Sequence, residues 1–180
     1  MIAIMSQAMI DGLLKLAQRT QELAAGDILF RAGDPVRSLF LVVEGGLRLV
    51  RSLPHGTQLI LQRAGPGAIL AEASLFADRY HCEAIAADRS IVRVVPRRRV
   101  EAALGDDPDF ARAWARYLAR EVQQARGQAE VLALKTVTER IDAWMALNGG
   151  ALPPKGGWRR IASEIGVSPE ALYRELAKRR

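Results

Sequence analysis

The spacing of hydrophobic residues changes twice along this chain of 180 residues and divides it into three parts. Residues 5–22 have apolar side chains, including Met9 and Leu13, at the spacings of three and four that are typical of an amphipathic helix. From Leu23 to Pro96, short apolar runs alternate with glycine and proline turns, which predicts strands. After Pro96 the helical spacing returns and continues to the end. The pattern therefore predicts an α+β protein.

Six strands are predicted in the middle part. They cover residues 28–30, 38–44, 47–51, 58–63, 83–87 and 90–95. Gly45-Gly46 has the composition of a two-residue hairpin turn between the second and third strands. Pro54-His55-Gly56 and Gly65-Pro66-Gly67 predict two further turns. Short strands at close spacing with glycine turns are typical of a small antiparallel barrel or jelly roll.

A long helix is predicted next, with Asp106 or Asp107 as its cap and Pro108 in its first turn. Its apolar stripe is longer than one small barrel needs to cover itself. We therefore expect part of the helix to pack on the barrel and part to pair with the same helix of a second subunit. The residues expected in that dimer interface are Trp114, Leu118, Val122, Ala125, Ala129 and Leu132.

The stripe breaks at residues 135–138, which predicts a hinge, and a further helix ends at Gly149-Gly150. Residues 158–178 then predict two short helices joined by a tight turn. Gly166 ends the first helix, since glycine adopts positive φ readily, and Ser168 caps the second with Pro169 at its first position.

This arrangement is that of a helix-turn-helix, whose second helix enters the major groove of DNA. Inward packing is expected for Ala171, Leu172 and Leu176. The outward face of the second helix is expected to carry Glu170, Tyr173, Arg174 and Lys178. Helix pairs of this kind also occur in any small helical domain, so the spacing alone does not establish DNA binding.

The charge distribution favours a polyanionic partner. The chain has a net charge of +6 and a pI near 10.1. Residues 151–180 carry seven basic against three acidic residues, a net charge of +4, so the first 150 residues hold only +2. The positive charge is therefore concentrated on the predicted helix-turn-helix.

Composition also argues against several classes of protein. One cysteine excludes an internal disulfide framework, and no apolar run approaches the ~20 residues of a membrane span. The first ten residues lack a basic leader, so we expect a cytoplasmic protein without a membrane partner. The two histidines form no set with a nucleophile or carboxylate that has catalytic spacing, so we expect neither an enzyme nor a metal site.

The order of barrel, long helix, hinge and helix-turn-helix resembles the Crp/Fnr family of bacterial transcription regulators. The resemblance is carried by Gly26-Asp27, Gly33-Asp34, Gly45, residues 71–76 and the helix-turn-helix. It implies a cyclic-nucleotide-binding-like sensor in residues 1–105, a dimerisation helix in 106–135 and a DNA-binding domain in 136–180. It also implies a homodimer that binds an inverted repeat in double-stranded DNA and contacts RNA polymerase if it is an activator.

The resemblance assigns roles on the second helix of the helix-turn-helix. Glu170 and Arg174 match the family's usual base-reading residues, and Tyr173 lies between them. Pro169 stands where the best-known member has an arginine, so the DNA half-site cannot be carried over. The expected phosphate contacts are Arg159, Arg160, Ser168 and Lys178. An alternative for Glu170 and Arg174 is a surface ion pair at i, i+4 spacing.

The implied effector pocket departs from the family pattern. Cyclic-nucleotide-binding relatives have Gly-Glu-x-x-Leu followed by Arg-Ser/Thr-Ala, which grips the cyclic phosphate. Here Cys82 replaces the arginine and Glu83 the hydroxyl, so cyclic AMP is disfavoured, although Arg79 could supply a cation. The pocket candidates are Glu72, Ala73, Leu75, Arg79, Cys82, Glu83 and Arg126. No cofactor can be assigned.

Cys82 leaves an alternative function open. With His81 it could ligate copper or haem iron or sense oxidation, although a buried cysteine acting as a small hydrophobe is favoured. The alternative is thus a small-molecule, haem or redox sensing module that acts through protein contacts instead of DNA. The chain also stops at Arg180, before the β-hairpin wing usual in the family, because the wing is naturally absent or the sequence is cut short.

Overall fold

The computed structural model describes residues 2–53, 55 and 58–179, and the chain divides into two compact units, residues 1–117 and 118–180. The helices and strands of the first unit are α1 (Ile2–Leu16), β1 (Arg19–Leu23), β2 (Ile28–Phe30), β3 (Ser38–Glu44), β4 (Leu47–Ser52), β5 (Gln58–Ala64), β6 (Ile69–Leu70), β7 (Glu83–Ala86), β8 (Ser90–Pro96) and α2 (Arg97–Asp106). The long helix α3 (Pro108–Ala133) begins in the first unit and continues into the second.

The eight strands form two antiparallel sheets in the manner of a jelly roll, as the sequence predicts. One sheet has the order β1-β8-β3-β6 and the other β2-β7-β4-β5. An apolar core between the strands contains a buried residue from each of them, for example Leu23, Phe40, Leu49 and Val92. The sheets keep their edges, so the sensor is a sandwich and not a closed barrel.

The prediction of one helix over residues 5–22 is wrong at its C-terminal end. Helix α1 ends at Leu16, and Arg19–Leu23 is an edge strand that pairs with β8, from Arg19 opposite Val94 to Leu23 opposite Ser90. The polar sequence of this segment shows no strand alternation. Its strand conformation is stabilised by pairing with β8, which is distant in sequence.

The prediction of a hairpin at Gly45-Gly46 is also wrong. Strand β3 pairs with β6 and β8, whereas β4 pairs with β5 and β7, so the two glycines carry the chain from one sheet to the other. The backbone N–H of Gly46 donates to Asp88 Oδ1 (2.8 Å) and to Ser90 Oγ (3.1 Å). Composition identified the turn correctly but not the strands that it separates.

The remaining turns and strands agree with the sequence except for β6, which was not predicted. Strand β3 covers the predicted 38–44, and Gly67 has φ 84° in the turn before β6. In the other predicted turn, Pro54 and Gly56 lie outside the described residues, and His55 lies in a turn between the paired strands β4 and β5.

The second unit is helical. After the C-terminal part of α3 come α4 (Val137–Leu147), α5 (Trp158–Glu164) and α6 (Pro169–Lys178). Thr136 caps α4 in a capping box with Glu139, at the predicted hinge. The apolar core of the second unit consists of Val131, Ile141, Trp144, Ile161, Ala162, Ile165, Leu172 and Leu176. Of the helices in the described part of the chain, none is long and apolar enough to cross a membrane.

Candidate functional site

Helices α5 and α6 are joined by the tight turn that the sequence predicts. Gly166 has φ 66°, and the backbone N–H of Val167 returns to the carbonyl of Ala162 (2.9 Å). The Ser168 hydroxyl then accepts a hydrogen bond from the N–H of Ala171 (3.1 Å) and caps α6, with Pro169 as its first residue. These local interactions fix the start of α6.

Helix α6 has an apolar face and a polar face. Leu172 and Leu176 are buried in the core of the second unit, and Ala171 is half-buried. The exposed side chains are Glu170, Tyr173, Arg174 and Lys178. The structure thus places on one surface the four residues that the helical spacing puts there.

Glu170 is held at the N-terminus of α6. Its pKa lies below the ordinary value because the carboxylate accepts hydrogen bonds from its own backbone N–H and from the Ser168 hydroxyl and lies near the positive charge of Arg159. The ion pair that the spacing allows with Arg174 is not formed within the described part of the chain. The Arg174 guanidinium is therefore not engaged by this carboxylate.

Tyr173 has an aromatic neighbour that the sequence pattern does not predict. Its ring packs against that of Trp158 with a centroid separation of 5.3 Å, and the Trp158 indole donates to the Pro153 carbonyl (2.8 Å). Because Trp158 lies 15 positions earlier at the start of α5, no helical periodicity relates the two. The contact limits the orientations available to Tyr173.

Several basic residues around α6 form ion pairs within the chain. Arg160 pairs with Glu164 (3.3 Å) and Lys178 with Glu175 (3.3 Å). The basic members of both pairs are largely exposed, and exposed pairs contribute only about 0–1 kcal/mol. Such contacts can exchange for DNA phosphates at small cost.

The C-terminal part of α6 is tied to the start of α4. The Thr138 hydroxyl donates to Glu175 Oε1 (2.6 Å), and Arg179 pairs with Asp142 while also donating to the Thr138 carbonyl (3.0 Å). The hydrogen bond from Thr138 is the main reason why the pKa of Glu175 lies below its ordinary value, and Lys178 and Arg179 add to it.

The predicted effector segment of the first unit is a short 3-10 turn, Glu72–Ser74. Ala71 precedes it with φ 68°, the one positive φ of a non-glycine residue among those described. Leu75 is buried, Ala73 is exposed, and the buried Ser74 Oγ lies 2.9 Å from His81 Nδ1.

Cys82 lies in the core between the sheets and not on an accessible surface. It is 2% exposed, and burial is the main reason why the pKa of its thiol is raised, with the nearby charge of Glu72 adding to it and that of Arg51 opposing it. Arg51 was not predicted, because no motif relates it to Cys82. The thiol is therefore a poor nucleophile or redox centre.

The other pocket candidates differ in burial and in the unit to which they belong. Glu83 is half-buried on β7, and Arg79 is exposed and donates to the Gly33 carbonyl (2.6 Å). Arg126 is exposed on the part of α3 that belongs to the second unit. Among the described residues, no group of three or more His, Cys, Asp or Glu is placed to hold a metal ion.

The apolar stripe of α3 is buried at Trp114 and largely exposed further along the helix. Trp114 is 4% exposed and packs against Phe110 and Tyr117 within the first unit. In the second unit Leu118 is half-buried, whereas Val122 and Leu132 are 47% and 42% exposed. Ala125 and Ala129 are also exposed.

Comparison with known proteins supports the resemblance. The family model for the cyclic nucleotide-binding domain matches residues 20–107, from β1 to the end of α2. The transcriptional activator proteins anr of Pseudomonas aeruginosa and FnrA of Stutzerimonas stutzeri are each 26% identical over 136 residues, which is 76% of this chain and 56% of theirs. The chain is thus similar to transcriptional regulators of the Crp/Fnr family.

Solved structures of two other proteins show the same fold over most of the chain. FixK2 from Bradyrhizobium japonicum has a TM-score of 0.72 and 23% identity, with 89% of this chain and 83% of that chain covered. The c-di-GMP-responsive global regulator CLP of Xanthomonas campestris has a TM-score of 0.66 and 21% identity, covering 96% and 90%. By contrast, the chain spans about half the length of the curated relatives it matches.

Proposed function

We propose that this protein is a dimeric, sequence-specific DNA-binding transcriptional regulator of the Crp/Fnr type. The observation that carries the proposal is the outer surface of α6, where Glu170, Tyr173 and Arg174 stand exposed opposite the buried Leu172 and Leu176. A capped helix with a buried apolar face and an exposed polar face is suited to insertion into the major groove.

The side chains on α6 have the chemistry for base recognition. Arg174 can donate two hydrogen bonds to guanine O6 and N7, and Glu170 can accept one from cytosine N4. Each such contact discriminates between bases by about 1–3 kcal/mol. Tyr173, supported by Trp158, adds apolar contact with an adjoining base.

The remaining basic residues fit contacts to the DNA backbone. Arg159, Arg160 and Lys178 are exposed and flank the reading surface, and Ser168 lies at the N-terminus of α6, where the helix dipole favours a phosphate. These contacts position the protein without specifying the sequence.

The exposed stripe of α3 supports dimerisation. Leu118, Val122, Ala125, Ala129 and Leu132 are the members of the predicted interface that lie in the second unit, and four of them are exposed in the single chain. Exposed apolar residues at helical spacing on one helix are typical of a helix–helix interface. Trp114 supports the fold of the first unit instead, so the proposed interface begins at Leu118.

The sensor is proposed to bind an effector other than cyclic AMP. In the family pattern, Cys82 and Glu83 occupy the positions of the arginine and hydroxyl that grip the cyclic phosphate. The Cys82 thiol is buried and offers no positive charge to a phosphate. The negative charge of the nearby Glu72 carboxylate helps to raise the pKa of this thiol. A phosphate at this position would meet negative charge and an apolar core.

The relatives named as transcriptional activators support a similar role here, with RNA polymerase as the further partner of the DNA-bound protein. We place the regulator in the cytoplasm with its DNA, and we assign it no enzymatic activity.

The test is DNA binding by the full chain. An inverted repeat is first selected from random duplexes, and affinity is then measured for that repeat and for variants at each base pair. We expect Arg174→Ala to lose discrimination at one base pair per half-site, by about tenfold to a hundredfold. Arg98→Ala, an exposed arginine on α2, is the control that changes the same charge elsewhere.

Two results would contradict the proposal. In the first, the wild-type chain selects no sequence at any salt concentration. In the second, sedimentation shows a monomer both alone and with duplex. If the chain is dimeric, Val122→Asp should shift it towards monomer, whereas Gln124→Asp on another face of α3 should not.

A further inference from the structure

Arg140, the fourth residue of α4, places its guanidinium against the end of α3. Its Nε donates to the Leu134 carbonyl (2.9 Å) and its Nη2 to the Leu132 carbonyl (3.1 Å). Leu132 is in the last turn of α3, and Leu134 is the first residue beyond it. These carbonyls belong to the turn where the chain enters the predicted hinge at residues 135–138.

The same guanidinium also holds the turn of the helix-turn-helix. Its Nη1 donates to the carbonyls of Ile165 (3.0 Å) and Gly166 (3.2 Å), which follow α5. All four acceptors lie at helix C-termini, where carbonyls lack helical partners and the helix dipole favours a cation. Within the described part of the chain, no carboxylate pairs with Arg140.

The steric fit at this place is tight. A Cβ added to Gly166 would lie 2.7 Å from Leu132 Cδ2 and 3.4 Å from Arg140 Nη1. The turn that leads into α6 therefore lies directly against the end of α3, and the planar guanidinium bridges the two backbones. Ser168, the cap of α6, is only two residues beyond Gly166.

The apolar core of the unit is distinct from this bridge. Ile141, Ile161 and Leu172 are fully buried among apolar side chains, whereas Arg140 donates to backbone carbonyls. Apolar packing is non-directional, however, and leaves small rotations between helices inexpensive. A planar fork with four charge-assisted hydrogen bonds has fixed geometry, so it adds a defined orientation.

We propose that Arg140 is a positioning residue that sets the orientation of the recognition helix α6 relative to the C-terminal part of α3. Because α3 is the proposed dimer helix, this orientation determines the separation at which two α6 helices meet the half-sites. The inference rests on the proposed DNA-binding function, but the orientation itself can be measured without DNA.

The first experiment measures the orientation directly in the full chain. Spin labels are placed at Gln128→Cys on α3 and Ala177→Cys on α6, both exposed, and labelled chains are mixed with an excess of unlabelled chain. We expect a single narrow distance distribution for the wild-type background and a broad one for Arg140→Met. Lys135→Met removes a charge from the same hinge and should leave the distribution narrow.

The second experiment measures the spacing between half-sites. Duplexes carry the selected inverted repeat at its natural spacing, or with one base pair added or removed. We expect the wild type and Lys135→Met to discriminate against the altered spacings by about tenfold or more, and Arg140→Met to lose most of this discrimination. A loss of folding alone would lower the affinity for all three duplexes equally.

The outcomes separate this inference from the proposed function. A narrow distribution in Arg140→Met, or unchanged spacing discrimination, would overturn the role of Arg140. A wild-type chain that selects no DNA would overturn the proposed function, while the spin-label distances would still test the orientation. If Arg140→Met does not fold, Arg140→Lys takes its place, since an ammonium cannot reach both pairs of carbonyls and should give a broadened distribution.

Discussion

Ala71 in the sensor and Gly166 in the helix-turn-helix have almost the same backbone conformation, with φ 68° and 66°, yet only one of them is glycine. Left-handed φ costs a residue with a Cβ about 1–2 kcal/mol more than it costs glycine. The helix-turn-helix therefore has the residue that its turn requires, whereas the sensor segment holds a strained alanine.

The surroundings explain why the two positions differ. At Gly166 a Cβ would lie 2.7 Å from Leu132 Cδ2, so both φ and space select glycine. At Ala71 the Cβ is accommodated, and the residue is buried in the core of the sheets. In the pattern Gly-Glu-x-x-Leu of the family that the sequence resembles, Ala71 takes the place of the glycine.

The difference indicates that the sensor and the helix-turn-helix have different structural requirements. In our proposal the sensor departs from the nucleotide-binding pattern at Ala71, Cys82 and Glu83, while the helix-turn-helix has the expected glycine turn, cap and candidate base-reading residues. Strained residues often mark functional segments. In our proposal the DNA-reading half is conventional for its family, and the sensor is adapted to another effector.

The largest effect is expected for the rate at which the buried Cys82 thiol reacts with a reagent in solution. Because the thiol is buried and its pKa is raised, native protein should react with a thiol reagent about a thousandfold more slowly than unfolded chain at the same pH. Ala73→Cys, exposed in the nearby effector segment, is the control and should react quickly. If Cys82 reacts as fast as the control, the clamp position is open and the sensor is closer to its nucleotide-binding relatives.

Next in size is the loss of stability on Gly166→Ala. We expect a decrease of about 2–3 kcal/mol in the free energy of unfolding, from left-handed strain and from the collision with Leu132. Urea unfolding of the full chain, followed by tryptophan fluorescence, measures it. Gly156→Ala, where φ is not positive and a Cβ meets open space, should change the stability by less than about 0.5 kcal/mol. Equal effects would show that the turn does not require glycine.

A smaller effect is expected when the pH is lowered, which should reduce the stability of the second unit. The pKa of Glu175 in the folded protein lies below its ordinary value of 4.5, so the folded state takes up a proton less readily than the unfolded state. The stabilisation by Glu175 is therefore fully present above the unfolded pKa and lost as the pH falls through the folded pKa.

Thermal unfolding between pH 7 and pH 3 tests this. Glu175→Gln should be less stable than wild type at pH 7, and the difference should shrink as the pH falls below the ordinary glutamate range. Glu130→Gln, exposed on α3, should match wild type throughout. A constant difference between wild type and Glu175→Gln would mean that shape, and not charge, determines the contact with Thr138.

Local sequence patterns predicted much of the fold because they act on neighbouring residues. The apolar run 38–44, the glycine at position 166 and the cap at Ser168 each favour one conformation by themselves. Strand β1 could not be predicted in this way, because its polar residues form a strand only against β8. The change of sheet at Gly45-Gly46 likewise depends on contacts with Asp88 and Ser90.

The candidate site shows the same contrast between features that local patterns predict and features that depend on contacts distant in sequence. Helical periodicity predicted the exposed face of α6, which includes Arg174. It could not predict the bridge made by Arg140, since the four acceptors are backbone carbonyls and every residue type carries one. The stripe on α3 indicated an apolar face, but only the structure shows that Trp114 is buried and packs against Phe110, while Val122 is exposed.

The smallest effect is expected for Ala71→Gly, the reverse of the change at position 166. Relief of left-handed strain should gain about 1–2 kcal/mol. Loss of one buried methyl group and the greater entropy of the unfolded chain should together remove about 1.5 kcal/mol. We therefore expect the free energy of unfolding of the sensor to change by less than about 0.5 kcal/mol in either direction.

Urea unfolding, followed by circular dichroism of the sheets, measures this balance. A loss of well over 1 kcal/mol would show that the Ala71 methyl group is needed for packing, so that the sensor core has been rebuilt around it. A gain of that size would show that the alanine is retained against stability, which points to the effector segment itself. A value near zero beside a large loss for Gly166→Ala would mean that the sensor can tolerate either residue, whereas the helix-turn-helix requires glycine.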